Sequence, residues 1–216
     1  MTKIVCISDT HGLHEAVEIP KCDILIHAGD FCNHGTYQEV EQFAKWISWQ
    51  PAGRKVVVAG NHDLFCEKHY DLTKLTFSRL RVTYLENQTT VIDGIKIFGS
   101  PFSPEFFNWA FMHPRFEMYD KVWSKVPKDV NVLIAHGPMY GVLDKVDKKY
   151  ANEDSDFHVG CKGLSKRVAE LKELRLLVSG HIHCSRGIVK GTPDIINASI
   201  CNEQYKPTNK PIIYEY

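Results

Sequence analysis

Short apolar runs of strand length recur along the chain, and many of them are rich in β-branched residues. Because these runs are apolar at successive positions, they predict buried strands that are covered on both faces. The eight runs are KIVCIS (3–8), DILIHAG (23–29), KVVVAG (55–60), IKIFGS (95–100), NVLIAHG (131–137), LRLLVSG (174–180), DIINAS (194–199) and PIIYEY (211–216).

Three stretches between these runs carry apolar residues at helical spacing, with charged residues opposite. This pattern predicts amphipathic helices that pack against a sheet. The three stretches are 36–49, with Val40, Phe43, Ala44 and Ile47 on one face, 113–126, and 161–174, with Leu164, Val168 and Leu171 on one stripe.

The order of these elements predicts the architecture. Strands and helices alternate in the first half of the chain, which is typical of an α/β domain with parallel strands. Residues 80–100 instead predict antiparallel hairpins with a turn at Asp93-Gly94, and the chain from Ile188 onwards predicts short strands and turns. We therefore expect a two-sheet α/β sandwich rather than one doubly wound sheet, forming a single domain over residues 1–216.

Composition narrows the class of protein. The 216 residues are 44% hydrophobic and 24% charged, which suits one soluble domain. Lys+Arg and Asp+Glu are equal at 26 each, so no overall charge favours nucleic acid or an anionic membrane. The apolar runs are too short to span a bilayer, and the start MTKIVCISDTHG lacks the pattern of a signal peptide.

The cysteines indicate the compartment. There are seven, an odd number, and no CxxC pair is present. This argues against a disulfide framework and against a cysteine zinc site. We expect a cytoplasmic protein with reduced thiols.

Polar residues follow five of the apolar runs at the point where each predicted strand ends. The carboxyl ends of parallel strands share one edge of a domain, and residues i and i+2 of an extended chain face the same way. Each short motif is a weak signal alone, but five in succession predict a metal site. The motifs are Ser8-Asp9-Thr10-His11-Gly12, Gly29-Asp30, Gly60-Asn61-His62-Asp63, His136-Gly137-Pro138 and Gly180-His181-Ile182-His183.

The ordered set DTH, GD, GNHD, HGP and GHIH resembles the pattern of calcineurin-like metallophosphoesterases, from Ile4 to the C-terminus. Within that superfamily the chain is most similar to the small metallophosphoesterase-domain-containing and Icc-like branch. The stretches CISDTHGLH, DILIHAGDF, VVVAGNHD, AHGPMYG, HVGC and INASICN…KPTNKPII carry this closer resemblance. It implies a four-layer αββα sandwich with two mixed β-sheets.

The resemblance also implies two divalent metal ions, with Asp30 as the bridging carboxylate. Carboxylate, imidazole and amide donors suit Mn²⁺, Fe or Zn²⁺, and we expect Mn²⁺. The family mechanism is attack on phosphorus by a hydroxide that bridges the two metals. The family pattern assigns the first metal to Asp9, His11, Asp30 and His183, and the second to Asp30, Asn61, His136 and His181.

Two further residues receive roles from the resemblance. His62 is not a ligand in the family pattern and faces the leaving-group side, where it can donate a proton or stabilise the leaving oxygen. Asp63 is expected to orient His62 by accepting a hydrogen bond from its other ring nitrogen. We predict both as catalytic residues.

The resemblance implies a phosphodiesterase that acts on cyclic nucleotides or similar small phosphodiesters. A phosphomonoesterase (nucleotide or protein phosphatase) or a nuclease on the same site, and a non-catalytic metal-binding scaffold, are the alternatives. Protein phosphatases of this superfamily have an Arg near the position of Asn33, so that activity is disfavoured; the balanced charge disfavours nucleic acid as a partner. The sequence leaves the oligomeric state open, with a homodimer among the alternatives.

Some residues near the motifs keep two interpretations. Arg186 is either a phosphate contact or a solvated turn residue, and Cys32 and Cys184 are candidate thiols near the metals. The aromatic residues of SPEFFNWAF (103–111) form either a substrate-stacking wall or part of the core, with the core as the default. His27 is expected to be a hydrogen-bonded core residue, and segment 144–158 a loop that overhangs the site.

Overall fold

The computed structural model describes residues 1–147 and 157–216, which form strands and helices in alternation. The strands are β1 (Lys3–Ile7), β2 (Cys22–Ala28), β3 (Ala52–Val58), β4 (Thr83–Tyr84), β5 (Gln88–Ile92), β6 (Ile95–Ser100), β7 (Ser103–Pro104), β8 (Met112–His113), β9 (Val132–Ala135), β10 (Leu176–Ser179), β11 (Gly187–Val189), β12 (Asp194–Asn197) and β13 (Ile212–Glu215). The helices are α1 (Tyr37–Ser48), α2 (Leu64–Lys68), α3 (Tyr70–Arg79), α4 (Met118–Lys121) and α5 (Lys162–Glu170). All eight strands predicted from the apolar runs are present.

Two mixed sheets form the centre of the molecule. The first has the order β13-β1-β2-β3-β4, in which β1 to β4 are parallel and β13 is antiparallel at the edge. The second has the order β11-β12-β10-β9-β6-β5, in which the four central strands are parallel and both edge strands are antiparallel. The expected pair of mixed sheets is therefore confirmed.

Three hydrophobic clusters divide the fold into four layers. Because side chains alternate between the faces of a strand, Ile24 and Ile26 of β2 point between the sheets, whereas Leu25 points towards the outer helices. The outer face of the first sheet packs on α1 and α3, for example through Phe43 and Phe77. The outer face of the second sheet packs on α4 and α5, so the order of layers is α, β, β, α.

Helix α1 follows its sequence pattern closely. The four apolar residues predicted for one face are the four that it buries. Its N-terminus is closed by a capping box, in which the Glu39 backbone N–H donates to the Thr36 hydroxyl and the Thr36 N–H donates to the Glu39 carboxylate. Within the described parts of the chain, none of the helices has the length and apolar character needed to cross a membrane.

The other helix predictions were less accurate. Residues 113–126 contain only α4 and a 3₁₀ turn at Trp123–Lys125, because the chain bends at Val122 and brings the buried Trp123 against Cys161. Helices α2 and α3 were not predicted. Helix α3 buries Thr73 and Thr76 beside a single Phe, so it has no apolar stripe to reveal it.

The hairpin prediction for residues 80–100 is correct in part. Strands β5 and β6 pair antiparallel around a turn in which Asp93 and Gly94 both have positive φ (50° and 80°), as a two-residue hairpin requires. Strand β4, in contrast, pairs parallel with β3 and extends the first sheet. All seven cysteines are free and six are buried, as expected for reduced thiols.

Candidate metal centre

The predicted site residues lie where the carboxyl ends of the parallel strands of both sheets meet. Each residue follows the end of a strand by a few positions, so the point at which that strand ends determines where the residue lies along the edge of the sheet. Asp9 and His11 follow β1, Asp30 follows β2, Asn61, His62 and Asp63 follow β3, His136 follows β9, and His181 and His183 follow β10. The first sheet thus supplies the carboxylates and the amide, and the second supplies three of the imidazoles.

One group of donors contains Asp9, His11 and His183. A donor atom from each lies within 4.8 Å of the other two. His183 Nε2 is 3.5 Å from Asp9 Oδ1 and 3.2 Å from His11 Nε2. These are three of the four residues that the family pattern gives to the first metal.

A second group contains Asp30, His136 and His181, again within 4.8 Å of one another. Asn61 joins them, since its Oδ1 is 2.9 Å from His136 Nε2. Asp30 Oδ2 lies 3.4 Å from His136 Nε2 and 4.0 Å from His11 Nε2, between the two groups. This is the location that a bridging carboxylate needs.

The hydrogen bonds of the histidines fit this donor set to a cation. The carbonyl of Ala28 accepts from His136 Nδ1 at 2.9 Å, and the carbonyl of Asn202 accepts from His183 Nδ1 at 2.9 Å. Carbonyls only accept, so each Nδ1 carries a proton, and Nε2 of each ring faces an oxygen donor of its own group, Asn61 Oδ1 for His136 and Asp9 Oδ1 for His183. Metal-ligating histidines show this arrangement, in which one ring nitrogen donates to a carbonyl and so orients the other nitrogen towards the metal.

Burial sets the protonation state of two of these histidines. It lowers the pKa of His11 and of His181 to about 4, so both rings are neutral at pH 7 and can donate a lone pair. For His136, burial acts in the same direction, but the charge and hydrogen bond of Asp30 raise the pKa to about 9. Although burial raises the pKa of Asp30, the His136 imidazole holds it well below its usual range.

The backbone at the site is strained at four predicted ligands. Asp9, His11, Asp30 and His181 all have positive φ, between 42° and 68°. This left-handed conformation costs roughly 1–2 kcal/mol for a residue other than glycine. Such strain persists only where the surroundings hold it, and it is concentrated at functional sites.

Two glycines leave room for the carboxylates. A side chain at Gly60 would collide with Oδ1 of Asp30, and one at Gly180 would collide with Oδ2 of Asp9. Gly60 has no positive φ, so it is required for space rather than for turn geometry.

Asp9 is held by neighbours that the sequence reasoning did not select. Its Oδ2 accepts from the hydroxyls of Ser8 and Ser199, the latter at 2.8 Å, and the backbone N–H of His181 donates to the same carboxylate. Oδ1 of Asn197 also lies 2.8 Å from the Ser199 hydroxyl oxygen, and it accepts the backbone N–H of Ser199. The stretch INASICN contributed to the family resemblance, but nothing in its pattern indicated contact with Asp9.

The predicted hydrogen bond from His62 to Asp63 is wrong. His62 Nδ1 pairs with the backbone carbonyl of Asn33 at 3.1 Å. The fully buried Asp63 carboxylate instead accepts the backbone N–H groups of Gly60 (2.7 Å), Cys32 (2.9 Å) and Asp30 (3.0 Å). Asp63 therefore joins the β2 and β3 loops, and burial followed by the charge of Asp30 raises its pKa to about 7.

His62 is fixed from two further sides. The indole of Trp109 stacks on its ring, with 4.5 Å between centroids and 26° between planes. The ring of His11 meets it edge-on at 4.6 Å, and His62 also has a donor atom within 4.8 Å of those of His11 and Asp30. It is thus next to the predicted metal positions, with Nδ1 already paired.

A cavity of about 420 Å³ opens over these residues. Four aromatic residues are part of its lining: Phe106, Phe107, Trp109 and Tyr205. Phe106 and Phe107 are 53% and 79% exposed, whereas Phe111 of the same segment is buried. The segment 103–111 therefore contributes both to a wall beside the site and to the core.

The 202–206 turn forms another part of the cavity wall. Asn202 Oδ1 accepts the backbone N–H groups of Gln204 and Lys206, each at 3.0 Å, which closes the turn. Its backbone carbonyl accepts from His183 Nδ1, and the turn places Glu203 and Tyr205 in the cavity lining. Sequence reasoning missed both residues.

The other polar residues considered near the site differ in whether they line the cavity. Arg186 donates to the carbonyl of Lys210 at 2.8 Å and is not among the described residues that line the cavity. Arg115 does line it and donates to the carbonyls of Val159 and Gly160. Cys184 also lines the cavity, and burial followed by the charge of Glu203 raises its pKa.

Two other predictions concern His27 and the overhanging loop. His27 is fully buried and hydrogen-bonded to Thr10, as expected for a core residue. Of segment 144–158, residues 148–156 lie outside the described part of the chain, so its predicted position over the site stays a prediction.

Comparison with known proteins identifies relatives of the whole chain. A family model described as calcineurin-like phosphoesterase matches residues 2–185, which include every predicted ligand. Metallophosphoesterase domain-containing protein 1 of Homo sapiens is 36% identical over 236 residues, covering 99% of this chain and 71% of that protein. A UPF0046 protein of Caenorhabditis elegans is 35% identical over 225 residues, covering 98% and 74%.

Solved structures share the fold. The crystal structure of phosphopantetheinyl hydrolase from Mycobacterium tuberculosis matches with a TM-score of 0.63, covering 97% of this chain and 95% of that one. Its sequence identity is 16%, so this likeness concerns the fold alone.

Proposed function

Because the chain belongs to the calcineurin-like phosphoesterase family, in the branch of the metallophosphoesterase domain-containing and UPF0046 proteins, it is a metal-dependent phosphoester hydrolase. We propose that it is a phosphodiesterase and that its substrates are cyclic nucleotides or similar small phosphodiesters. The observation that carries this proposal is one cavity that contains candidate ligands for two metals, a fixed imidazole and an aromatic wall.

Two divalent ions are the proposed cofactor, with Mn²⁺ as the favoured metal. Asp9, His11, Asp30 and His183 would hold one ion, and Asp30, Asn61, His136 and His181 the other. When bound, such a pair neutralises charge on phosphate oxygens and activates water as a nucleophile. The geometric support is that Asp30 lies between both groups of donors.

His62 is the proposed general acid. Its Nδ1 donates to the Asn33 carbonyl, so the ring would act as an acid in its imidazolium form, giving the Nε2 proton to the leaving oxygen of the ester and keeping the proton on Nδ1. Stacking on Trp109 restricts rotation of the ring, so the proton is held in one direction. This orientation comes from Asn33 and Trp109 rather than from Asp63.

The aromatic wall supports a substrate with a planar group. Exposed faces of Phe106, Phe107 and Tyr205 near the ligands offer stacking surfaces, and a nucleobase or an aryl ring has a face to stack on them. The balanced charge of the chain suits a small substrate better than a nucleic acid polymer.

The test is turnover by purified protein loaded with Mn²⁺. We expect hydrolysis of 3′,5′-cyclic nucleotides and of bis-p-nitrophenyl phosphate, and loss of activity in Asp30→Ala. Absence of turnover on both substrates would reject the phosphodiesterase. Higher activity on phosphomonoesters would support the phosphomonoesterase, and fewer than two metals per chain would support the non-catalytic scaffold.

A further inference from the structure

Glu203 lies in the wall of the cavity without a partner for one of its oxygens. The 202–206 turn directs it to the cavity that also contains His11, Asp30 and His183. Oxygen Oε1 is buried and has no hydrogen-bond partner among the described residues. A buried acceptor without a donor is unfavourable, so this oxygen marks a position where a donor group of a ligand or a water molecule would be bound.

The negative charge of Glu203 has no evident counter-charge among the described residues that line the cavity. Asp30 is the other carboxylate among the described lining residues, and it belongs to the candidate metal ligands. Bound divalent ions would neutralise the charge of Asp30. Glu203 belongs to none of the metal-donor groups, so the ions would not bind its carboxylate directly. Arg115 is the cationic lining residue of the described chain, and its guanidinium already donates to two backbone carbonyls.

The electrostatic repulsion between this carboxylate and a bound phosphate is proportional to the negative charge of the phosphate. A phosphomonoester carries about two negative charges near neutral pH, and a phosphodiester carries one. Repulsion by a fixed negative charge is therefore about twice as large in free energy for the monoester.

We propose that Glu203 is a specificity-determining residue that selects singly charged phosphodiesters over doubly charged phosphomonoesters. Its unpaired Oε1 accepts a hydrogen bond from a hydroxyl or amino group on the organic part of the diester. This inference rests on the proposed function, since it concerns ligands of the same site. It also accounts for release of a hydrolysed product, which gains one charge when the ester bond breaks.

The experiment measures binding rather than turnover. Inorganic phosphate and dimethyl phosphate are titrated into the metal-loaded protein at about pH 8 by calorimetry, as probes with about two charges and one. Glu203→Gln is expected to bind phosphate about tenfold more tightly and dimethyl phosphate about threefold more tightly. Equal changes for both probes, or no change, would overturn the proposal.

Two variants control for other effects. Glu203→Asp retains the charge, so it should retain the wild-type ratio between the two dissociation constants. Glu215→Gln removes a carboxylate from an exposed position on β13, outside the cavity lining, and should alter neither constant. A tightening in Glu215→Gln equal to that in Glu203→Gln would show a general charge effect and reject the role of Glu203.

The outcomes separate this inference from the proposed function. If the wild-type protein hydrolyses diesters but Glu203→Gln does not change the ratio of dissociation constants, the role of Glu203 alone is rejected. If the ratio falls about threefold as expected while no diester is hydrolysed, the charge selection stands and the phosphodiesterase is rejected.

Discussion

His62 shows how much of a side chain's environment lies beyond its motif. The GNHD pattern located it beside the candidate ligands, but the residues that hold it, Asn33 and Trp109, come from other loops. Neither residue belongs to a recognisable motif, and a backbone carbonyl leaves no trace in a sequence. The sequence therefore predicted which residues gather at the site better than it predicted their hydrogen bonds.

Separate roles for His62 and Asp30 lead to the first prediction. We expect His62→Ala to retain two metals per chain, because its imidazole is absent from the predicted ligand set, and to lose at least about 100-fold in kcat. Asp30→Ala should lose both metal and activity. Metal analysis by mass spectrometry with steady-state kinetics checks this, and metal loss in His62→Ala equal to that in Asp30→Ala would contradict it.

His27 leads to a prediction about stability in acid. Burial lowers its pKa from 6.5 to about 3, so between these values the unfolded chain binds a proton that the folded chain does not. Stability is then unaffected above pH 6.5 and falls as the pH falls, by about 1.4 kcal/mol per unit for this group.

Substitution isolates this contribution. In this pH range the unfolded wild-type chain binds about one proton more at residue 27 than the folded chain does, and His27→Gln should abolish that difference. The difference is measured as the slope of the unfolding free energy against pH, from urea titrations. The wild-type slope should exceed the variant slope between about pH 4 and 6. Identical slopes would mean that His27 does not titrate as its burial predicts.

Secondary structure elements were predicted correctly where their buried positions are apolar and regularly spaced, and were missed or misplaced where the buried positions are polar or irregular. All eight strands with continuous apolar runs were predicted, as was α1 with its four buried apolar residues. Helix α3 was missed because threonines form much of its buried face. The helix predicted over residues 113–126 shortened to α4, since placing Trp123 in the core required a bend at Val122.

The 202–206 turn supports a prediction at this scale. Asn202→Ala removes the acceptor of two backbone N–H groups, so the turn loosens and Tyr205 and Glu203 lose their fixed positions. We expect KM to rise several-fold and global stability to fall by about 1–2 kcal/mol.

Thr36→Ala provides the matched control. It breaks the capping box of α1 and should cost a similar amount of stability, about 1 kcal/mol, without changing KM. Kinetics and chemical denaturation of both variants distinguish the two effects. An equal rise in KM in both would indicate that it follows from lost stability alone.

At the scale of the whole molecule, the candidate ligands are divided between the two sheets. Asp9, Asp30 and Asn61 come from the first sheet, and His136, His181 and His183 from the second. Bound metals would therefore connect the two halves, in addition to the apolar cluster between them and to hydrogen bonds such as those of His136 to Ala28 and of His181 to Asp9. The sequence predicted this convergence because it predicted both the strand ends and the two sheets.

Removal of metal should therefore lower the melting temperature. A ligand at 100 times its Kd stabilises the folded state by about 2.7 kcal/mol, which corresponds to roughly 5–10 °C for a chain of this size. Calorimetry with EDTA, followed by addition of Mn²⁺, measures the change. A melting temperature that is independent of metal would contradict a centre that joins the sheets.

The division of ligands also makes metal affinity a measure of how the sheets are aligned. Ile24 is fully buried between the sheets and is not a candidate ligand, yet truncation to Ala would let one sheet shift relative to the other. The coupling between metal binding and sheet alignment is reciprocal. If bound metal stabilises the aligned sheets by a given free energy, the aligned sheets strengthen metal binding by the same free energy. We therefore expect Ile24→Ala to lower activity by weakening metal binding, although the residue is far from the site, and excess metal should restore that activity.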